Sequence, residues 1–258
     1  MKISTLCVLA AIAGLCPPVR ADEPAIIAKA RAYLGPESVL DAVNSIHMVG
    51  SWTSPTDKSP TPVRMAVDIV YQKPAQYSIT LIDKDRMIHT TIDHFEGSQE
   101  SQDGLAANQT SIDLHKTYRL TILSPEQVKT LRIYAVEQIW FYNGVLHEDG
   151  QIEDRGPATI DGVDTEKVAF VYSPDFVYTR NFDQSTGRLV YTETESRSKI
   201  RQSGEIIAGG IRFPKQIDIT DVVNGKDVPQ TYIFDKITVN ESFPDSYFAV
   251  PDVLPSHP

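Results

Sequence analysis

Cysteine is nearly absent: the 258 residues hold two, Cys7 and Cys16, both within the first 21. Once that segment is removed, neither a disulfide nor a thiolate metal site can form, so stability must come from a hydrophobic core. Basic residues are outnumbered, 24 Lys and Arg against 34 Asp and Glu, and no basic stripe compensates. Nucleic acid is held largely through Lys and Arg on phosphates, so the acidic balance argues against it as a partner. Past residue 21 no apolar run approaches the roughly 20 residues that a membrane-spanning helix needs. H-E-x-x-H, G-x-S-x-G and phosphate-cradling glycine loops are missing as well. The histidines, His47, His89, His94, His115, His147 and His257, stand in no metal-ligand spacing. No metal, cofactor or catalytic residue is expected, and the chain does not read as an enzyme. Ser196 and Lys199 match an S-x-x-K only formally, in a charged strand or loop. Glu193 and Glu195 read with Arg197 and Lys199 as a solvated charge ladder rather than a glycosidase pair.

What is present begins with an address. Lys2, an apolar run over residues 6–15 and the ending Val19-Arg20-Ala21 have the pattern of a secretory signal peptide cleaved after Ala21. The run is too short to span a bilayer. Leu15 precedes Cys16 where lipid attachment wants Gly or Ala, which argues against an anchor there. The expected organisation is a signal peptide over 1–21 and a single periplasmic domain over 22–258.

Residues 22–45 read as two short helices. Ile26, Ile27, Ala30 and Leu34 share one face, Gly35-Pro36 breaks the chain, and Val39, Leu40 and Val43 resume the pattern. From His47 the period falls to two, with Val63, Met65, Val67, Ile69 and Tyr71 alternating against Arg64, Ala66, Asp68 and Gln72. Lys73-Pro74 interrupts, and strands continue over 77–83 and 86–95. Residues 96–109 are polar and without period, so a loop is expected there. A helix follows over 125–142, opened by Ser124-Pro125-Glu126-Gln127, a capping signal with proline at the first helical position. It carries two apolar stripes: Val128, Leu131, Ala135, Ile139 and Tyr142, and separately Ile133, Val136 and Trp140.

After Asn143-Gly144 the chain reads as strands and turns, with hairpins at Asp161-Gly162, Thr186-Gly187, Gly209-Gly210 and Asn224-Gly225. Phe176, Tyr178, Arg180 and Phe182 share one strand face. On the last strand Tyr232, Phe234 and Lys236 face away from Thr231, Ile233, Asp235 and Ile237. A meander this long must curl or close to hide its edges. Asn108 and Asn240 begin sequons by pattern only.

Several short segments together resemble the LolA/LolB family of periplasmic lipoprotein-sorting proteins. They are residues 28–35 (AKARAYLG), 46–50 (IHMVG), 71–77 (YQKPAQY), 182–187 (FDQSTG), 210–215 (GIRFPK) and the closing 237–240 (ITVN) with 248–251 (FAVP). The resemblance implies a mainly β fold with helices: a strongly curved antiparallel sheet forming an unclosed half β-barrel, with helices on or over its concave side. It also implies a carrier or binding protein for an amphipathic ligand, lipid or lipoprotein acyl chains, with envelope donor and acceptor proteins as partners. The two-striped helix then serves as lid, and Trp52, Val128, Leu131, Ile133, Val136, Trp140, Phe176 and Tyr178 are the expected lining of cavity and lid. Lys73 stands where the carriers have an arginine before the proline, thought to latch sheet to lid; it lacks the planar guanidinium fork. No counterpart of the acceptor's apolar membrane-entering loop is evident. The alternative is an envelope structural or interaction module of the same fold, with side chains filling the hollow.

Overall fold

The alternating apolar pattern builds one large sheet and the helical patterns build its cover. The structure is a computed structural model describing residues 23–56, 59–104, 117–194 and 196–251. The leader with both cysteines, the Asn108 sequon and Glu195 lie outside the described residues. Helices α1 (Ala25–Leu34) and α2 (Glu37–Asp41) are separated at Gly35-Pro36. A meander follows: β1 (Ser45–Thr56), β2 (Ser59–Gln72), β3 (Gln76–Ile82), β4 (Arg86–Asp93), β5 (Glu96–Asp103) and β6 (Thr117–Ile122). Next come α3 (Pro125–Ile139), a 3-10 turn (Gly144–Glu148), β7 (Gln151–Ile160), β8 (Val163–Ser173), β9 (Phe176–Asp183), β10 (Leu189–Thr194) and β11 (Lys199–Ser203). The hairpin β12 (Ile206–Ala208) and β13 (Ile211–Phe213) precedes β14 (Gln216–Val223) and β15 (Lys226–Val239).

Among the described residues thirteen strands form one antiparallel sheet in the order β6-β5-β4-β3-β2-β1-β15-β14-β11-β10-β9-β8-β7. Its edges, β6 and β7, do not pair with each other, so the barrel is unclosed. The chain crosses from one edge to the other as α3, which packs on β2 to β5. From β3 to β9 there are eight neighbouring strands, which laid flat at about 4.8 Å spacing would span about 34 Å. Ile79 of β3 and Tyr178 of β9 nevertheless line one cavity, so the sheet bends around it.

Two apolar clusters carry the fold. One joins Ile46, Met48, Ile69, Tyr71 and Phe234 of the sheet to Ala135 and Ile139 of α3. The other joins Ile27 and Ala30 of α1 to Val168, Phe170 and Phe182, with Ile133 of α3. Helix α3 therefore contributes to both clusters, Ala135 and Ile139 to the first and Ile133 to the second. Three of the segments that carry the resemblance meet at α1. Gln184 accepts a hydrogen bond from Lys29 Nζ at 2.6 Å, and Arg212 Nε donates to the Tyr33 carbonyl at 3.1 Å. The Asp161-Gly162 and Asn224-Gly225 turns hold both residues at positive φ, as a tight two-residue hairpin turn requires.

Four expectations are corrected. Residues 96–103 are strand β5, not loop: every side chain there is polar or glycine, and the ladder between β4 and β6 holds it in place of an apolar face. Strand β6 follows it before the helix. The helix stops at Ile139 rather than Tyr142, because Phe141 and Tyr142 take φ of 48° and 75°. In β15 the alternation slips: Val49 pairs with Lys236 but Gly50 with Phe234, so Phe234 and Ile237 are both buried. Arg197 sits in a left-handed turn (φ 64°), leaving Lys199 opposite Glu193 as the rung of the ladder.

Candidate functional site

Helix α3 is fixed at both ends. At its start the Ser124 hydroxyl accepts from Gln127 N at 3.3 Å while Gln127 Oε1 accepts from Ser124 N at 2.9 Å, a reciprocal cap. At its end Phe141 enters the first apolar cluster and Tyr142 the second, which holds two aromatic residues in a backbone region that costs about 1–3 kcal/mol each. Arg31, 3% exposed, reaches across from α1. Its Nη1 donates to the carbonyls of Trp140 at 3.0 Å and Phe141 at 2.8 Å, and its other nitrogens engage Glu37 and Asp41.

Between α3 and the sheet lies a hollow that side chains do not fill. A cavity of about 330 Å³ is lined by Leu131 and Tyr134 of α3 and, from the sheet, by Ile79, Ile200, Ile217 and Tyr232 among others. That volume is in the lower part of the range of about 300–1,000 Å³ typical of small-molecule sites. A smaller cavity of about 80 Å³ adjoins it toward the end of α3, sharing Met48, Tyr134, Gln138, Tyr178 and Ile217 in its wall. Together they form one groove under α3. Tyr71 and Tyr77 stack at 5.3 Å with Tyr134 edge-on to Tyr77, and burial pushes all three hydroxyls above the usual phenol range, so these three side chains stay uncharged.

Charged groups break the apolar surface: Glu137, Arg180 and Arg212 in the smaller cavity and Asp221 in the larger. Arg180 of β9 and Glu137 of α3, 5% and 4% exposed, form an ion pair in the wall of the smaller cavity. The Tyr172 hydroxyl donates to Glu137, and the Arg180 guanidinium lies 4.6 Å from the Phe170 ring centre and 5.3 Å from that of Tyr178. Burial lowers the Arg180 pKa, but Glu137 together with the Tyr142 and Tyr172 hydroxyls more than offsets this, and the net shift is upward, so the guanidinium stays charged. Burial lifts the Tyr142 hydroxyl to about 12, against the opposing pull of Arg180. Among the described residues no three His, Cys, Asp or Glu side chains converge as metal ligands would.

The expected lining residues are distributed as follows. Leu131 and Tyr178 line the groove. Trp52 packs beside the first cluster and donates from Nε1 to Gln230 Oε1 at 2.9 Å, Gln230 itself being part of the groove wall. Val128, Ile133 and Val136 are buried in helix packing, and Phe176 stands edge-on to Tyr178 at 5.5 Å. Trp140 stacks on His147 at 3.6 Å, with Lys73 Nζ 3.9 Å from its ring centre on the sheet side of the lid. Lys73 also donates to the Asp41 carbonyl at 3.0 Å. Sequence reasoning missed Arg31, Glu137 and the stripe Tyr134-Gln138 that faces the groove. Only Arg180 left a signal, a charge amid an aromatic strand face. Asn240 is engaged within the fold, accepting from Asn44 N at 2.7 Å.

An unclosed antiparallel half-barrel crossed by a helix over its hollow is the LolA-like fold. A LolA superfamily protein from Nitrosomonas europaea has a similar solved structure, with TM-score 0.54 at 14% identity over 87% of this chain and 96% of that one. A DUF1329 family protein from Desulfovibrio piger gives TM-score 0.53 at 8% identity, covering 87% and 96% of the two chains. A domain from Vibrio parahaemolyticus assigned to outer membrane lipoprotein sorting gives 0.52 at 8% identity, covering 86% and 94%. No protein-family model matches the chain, and comparison with curated proteins finds no significant match.

Proposed function

We propose that this chain is an exported carrier or binding protein for an amphipathic ligand, holding lipid or lipoprotein acyl chains in the groove under α3, and that it is not an enzyme. The observation that supports this most is the unfilled apolar cavity of about 330 Å³ beneath the helix. Each methylene withdrawn from water gains about 0.8 kcal/mol, so a greasy hollow stabilises a tail that water rejects. Leu131 and Tyr178 touch the tail, while Trp52, Val128, Ile133, Val136, Phe176 and Trp140 support the walls and lid. Arg31 and Lys73 latch the end of the lid against α2 and the sheet.

In this reading residues 1–21 direct export to the periplasm and are removed, Cys16 is not lipidated, and residues 22–258 act as one domain. Among the described residues no helix is long and apolar enough to cross a membrane. The similar domain assigned to lipoprotein sorting is consistent with handover between an envelope donor and an acceptor. The test is to purify the mature protein from the periplasm, extract it with organic solvent and identify what it carried by mass spectrometry. Acyl lipid in near-equal amount to protein is expected. A protein that comes away empty and binds no added acyl probe contradicts the proposal.

A further inference from the structure

The groove has unlike ends. Its larger part is mostly apolar, with Thr130, Gln138, Thr194 and Ser198 at places in the wall and a single charged side chain, Asp221, engaged by Gln230 Nε2 at 2.6 Å. Its smaller part holds Arg180, whose buried Nε donates to no acceptor among the described residues. Thr192, 3% exposed, and Gln202 line the same part. An ion pair between Glu137 and Arg180 would fix α3 on β9 wherever it stood. It does not require a guanidinium N–H left without a partner, which is costly when buried. A ligand oxygen delivered into the small cavity removes that cost.

Resting on the carrier reading above, the geometry points to a single-tailed amphiphile with a carboxylate head, a long-chain fatty acid or an acyl chain ending in a carboxylate, as the ligand. The head accepts from the free donor of Arg180, with Thr192 and Gln202 at hand, and the tail runs under Leu131 into the larger cavity, toward Tyr232. Three features select this class. The small cavity, about 80 Å³, admits a compact head and not a phosphodiester with its substituents. The unpaired donor is cationic, so it favours an anionic acceptor. Asp221 at the other end repels a carboxylate and sets the orientation. Glu137 is then a specificity group: its charge stands beside the head and weakens its binding.

The wild-type mature protein, stripped of lipid, is titrated calorimetrically with palmitate, methyl palmitate and hexadecyl phosphate. A charge-assisted hydrogen bond corresponds to about ten-fold or more in affinity, so palmitate is expected to bind that much tighter than its ester, while hexadecyl phosphate, equally able to accept that bond, is expected to bind more weakly than palmitate because its head is bulkier. Glu137→Gln, which keeps the hydrogen-bonding shape, should strengthen palmitate several-fold and leave the ester unchanged, an effect that a purely structural pair would not produce. Glu137→Gln combined with Arg180→Met should bring palmitate and ester together. Equal binding of palmitate and ester by the wild type overturns the carboxylate assignment while leaving the carrier reading intact. Equal binding of palmitate and phosphate overturns the restriction to carboxylates. Failure of all three ligands to bind removes the carrier reading itself. The wild-type comparison needs no variant and decides the matter even if one of them fails to fold.

Discussion

Arg31→Met isolates what holds the end of α3. Methionine keeps the apolar stem but leaves the Phe141 carbonyl, which now accepts from Nη1 at 2.8 Å, without a donor, and takes from the Trp140 carbonyl one of its two, Asn143 N remaining at 3.0 Å. Orphaning a buried acceptor costs about 1–3 kcal/mol, and losing one bond of two costs less. The carboxylates of Glu37 and Asp41 are 61% and 66% exposed, so those pairs add little once solvent screening is counted. Phe141 and Tyr142 store backbone strain that the clamp helps to hold, and its loss lets the segment relax. The expected cost is about 2–4 kcal/mol, which at about 2–4 °C per kcal/mol for a chain of this size lowers Tm by on the order of 10 °C. Urea unfolding midpoints with matching thermal melts would measure it. The double variant Glu37→Gln/Asp41→Asn, which spares the carbonyls, should cost under about 1 kcal/mol. If Arg31→Met costs no more than that double variant, the clamp is a surface ion pair and the reasoning fails.

Gly50→Ala places a Cβ 2.0 Å from the Ile233 carbonyl oxygen, backbone against backbone at the β15 slip, so a loss of about 3 kcal/mol or more is expected in denaturant unfolding, and a near-neutral effect would mean that the slip is absent. Ser124→Ala removes the cap of α3 and should cost about 1 kcal/mol, with faster amide exchange confined to the first turn. His47 is pulled down by burial, but its hydrogen bonds to Glu241 and then Asp68 raise its pKa overall above 6.5. Because the folded value is the higher one, the stability it contributes is full below pH 6.5 and is lost as pH rises through the raised value. Melts at pH 5.5 and 8.5 should therefore converge on His47→Gln, and an unchanged difference would show that another group titrates.

Where burial falls on one face, sequence and structure agree. Val63 to Tyr71 alternates and forms β2, and glycines after Asp161 and Asn224 mark hairpins. The pattern fails where something other than side-chain burial decides. Strand β5 has no apolar face, and what places it is the backbone ladder on either side, which leaves no trace in composition. The slip at Asp235 depends on a close approach to Gly50 that only a three-dimensional pairing reveals. In the groove, the apolar stripes of α3 are spent mostly on packing, and of their residues within the helix only Leu131 lines the hollow. The face turned to the hollow is a mixed one, with Leu131, Tyr134, Glu137 and Gln138, so hydrophobic periodicity pointed to Leu131 but not to the polar and aromatic residues beside it. Arg31 was hidden for a related reason: a single arginine in a helix reads as solvated until its partners across the fold are known.

The most direct test of the unfilled hollow is to fill it. Leu131→Trp with Ile217→Phe adds bulk to the wall of the larger cavity, and saturable binding of a fluorescent single-tailed acyl probe is compared with that of the wild type. Excluding even two methylenes at about 0.8 kcal/mol each weakens binding about ten-fold. The expected result is one-to-one binding by the wild type and at least that loss in the filled variant, with its melt nearly unchanged. A filled variant that binds like the wild type, or a wild type that binds no probe, contradicts the account.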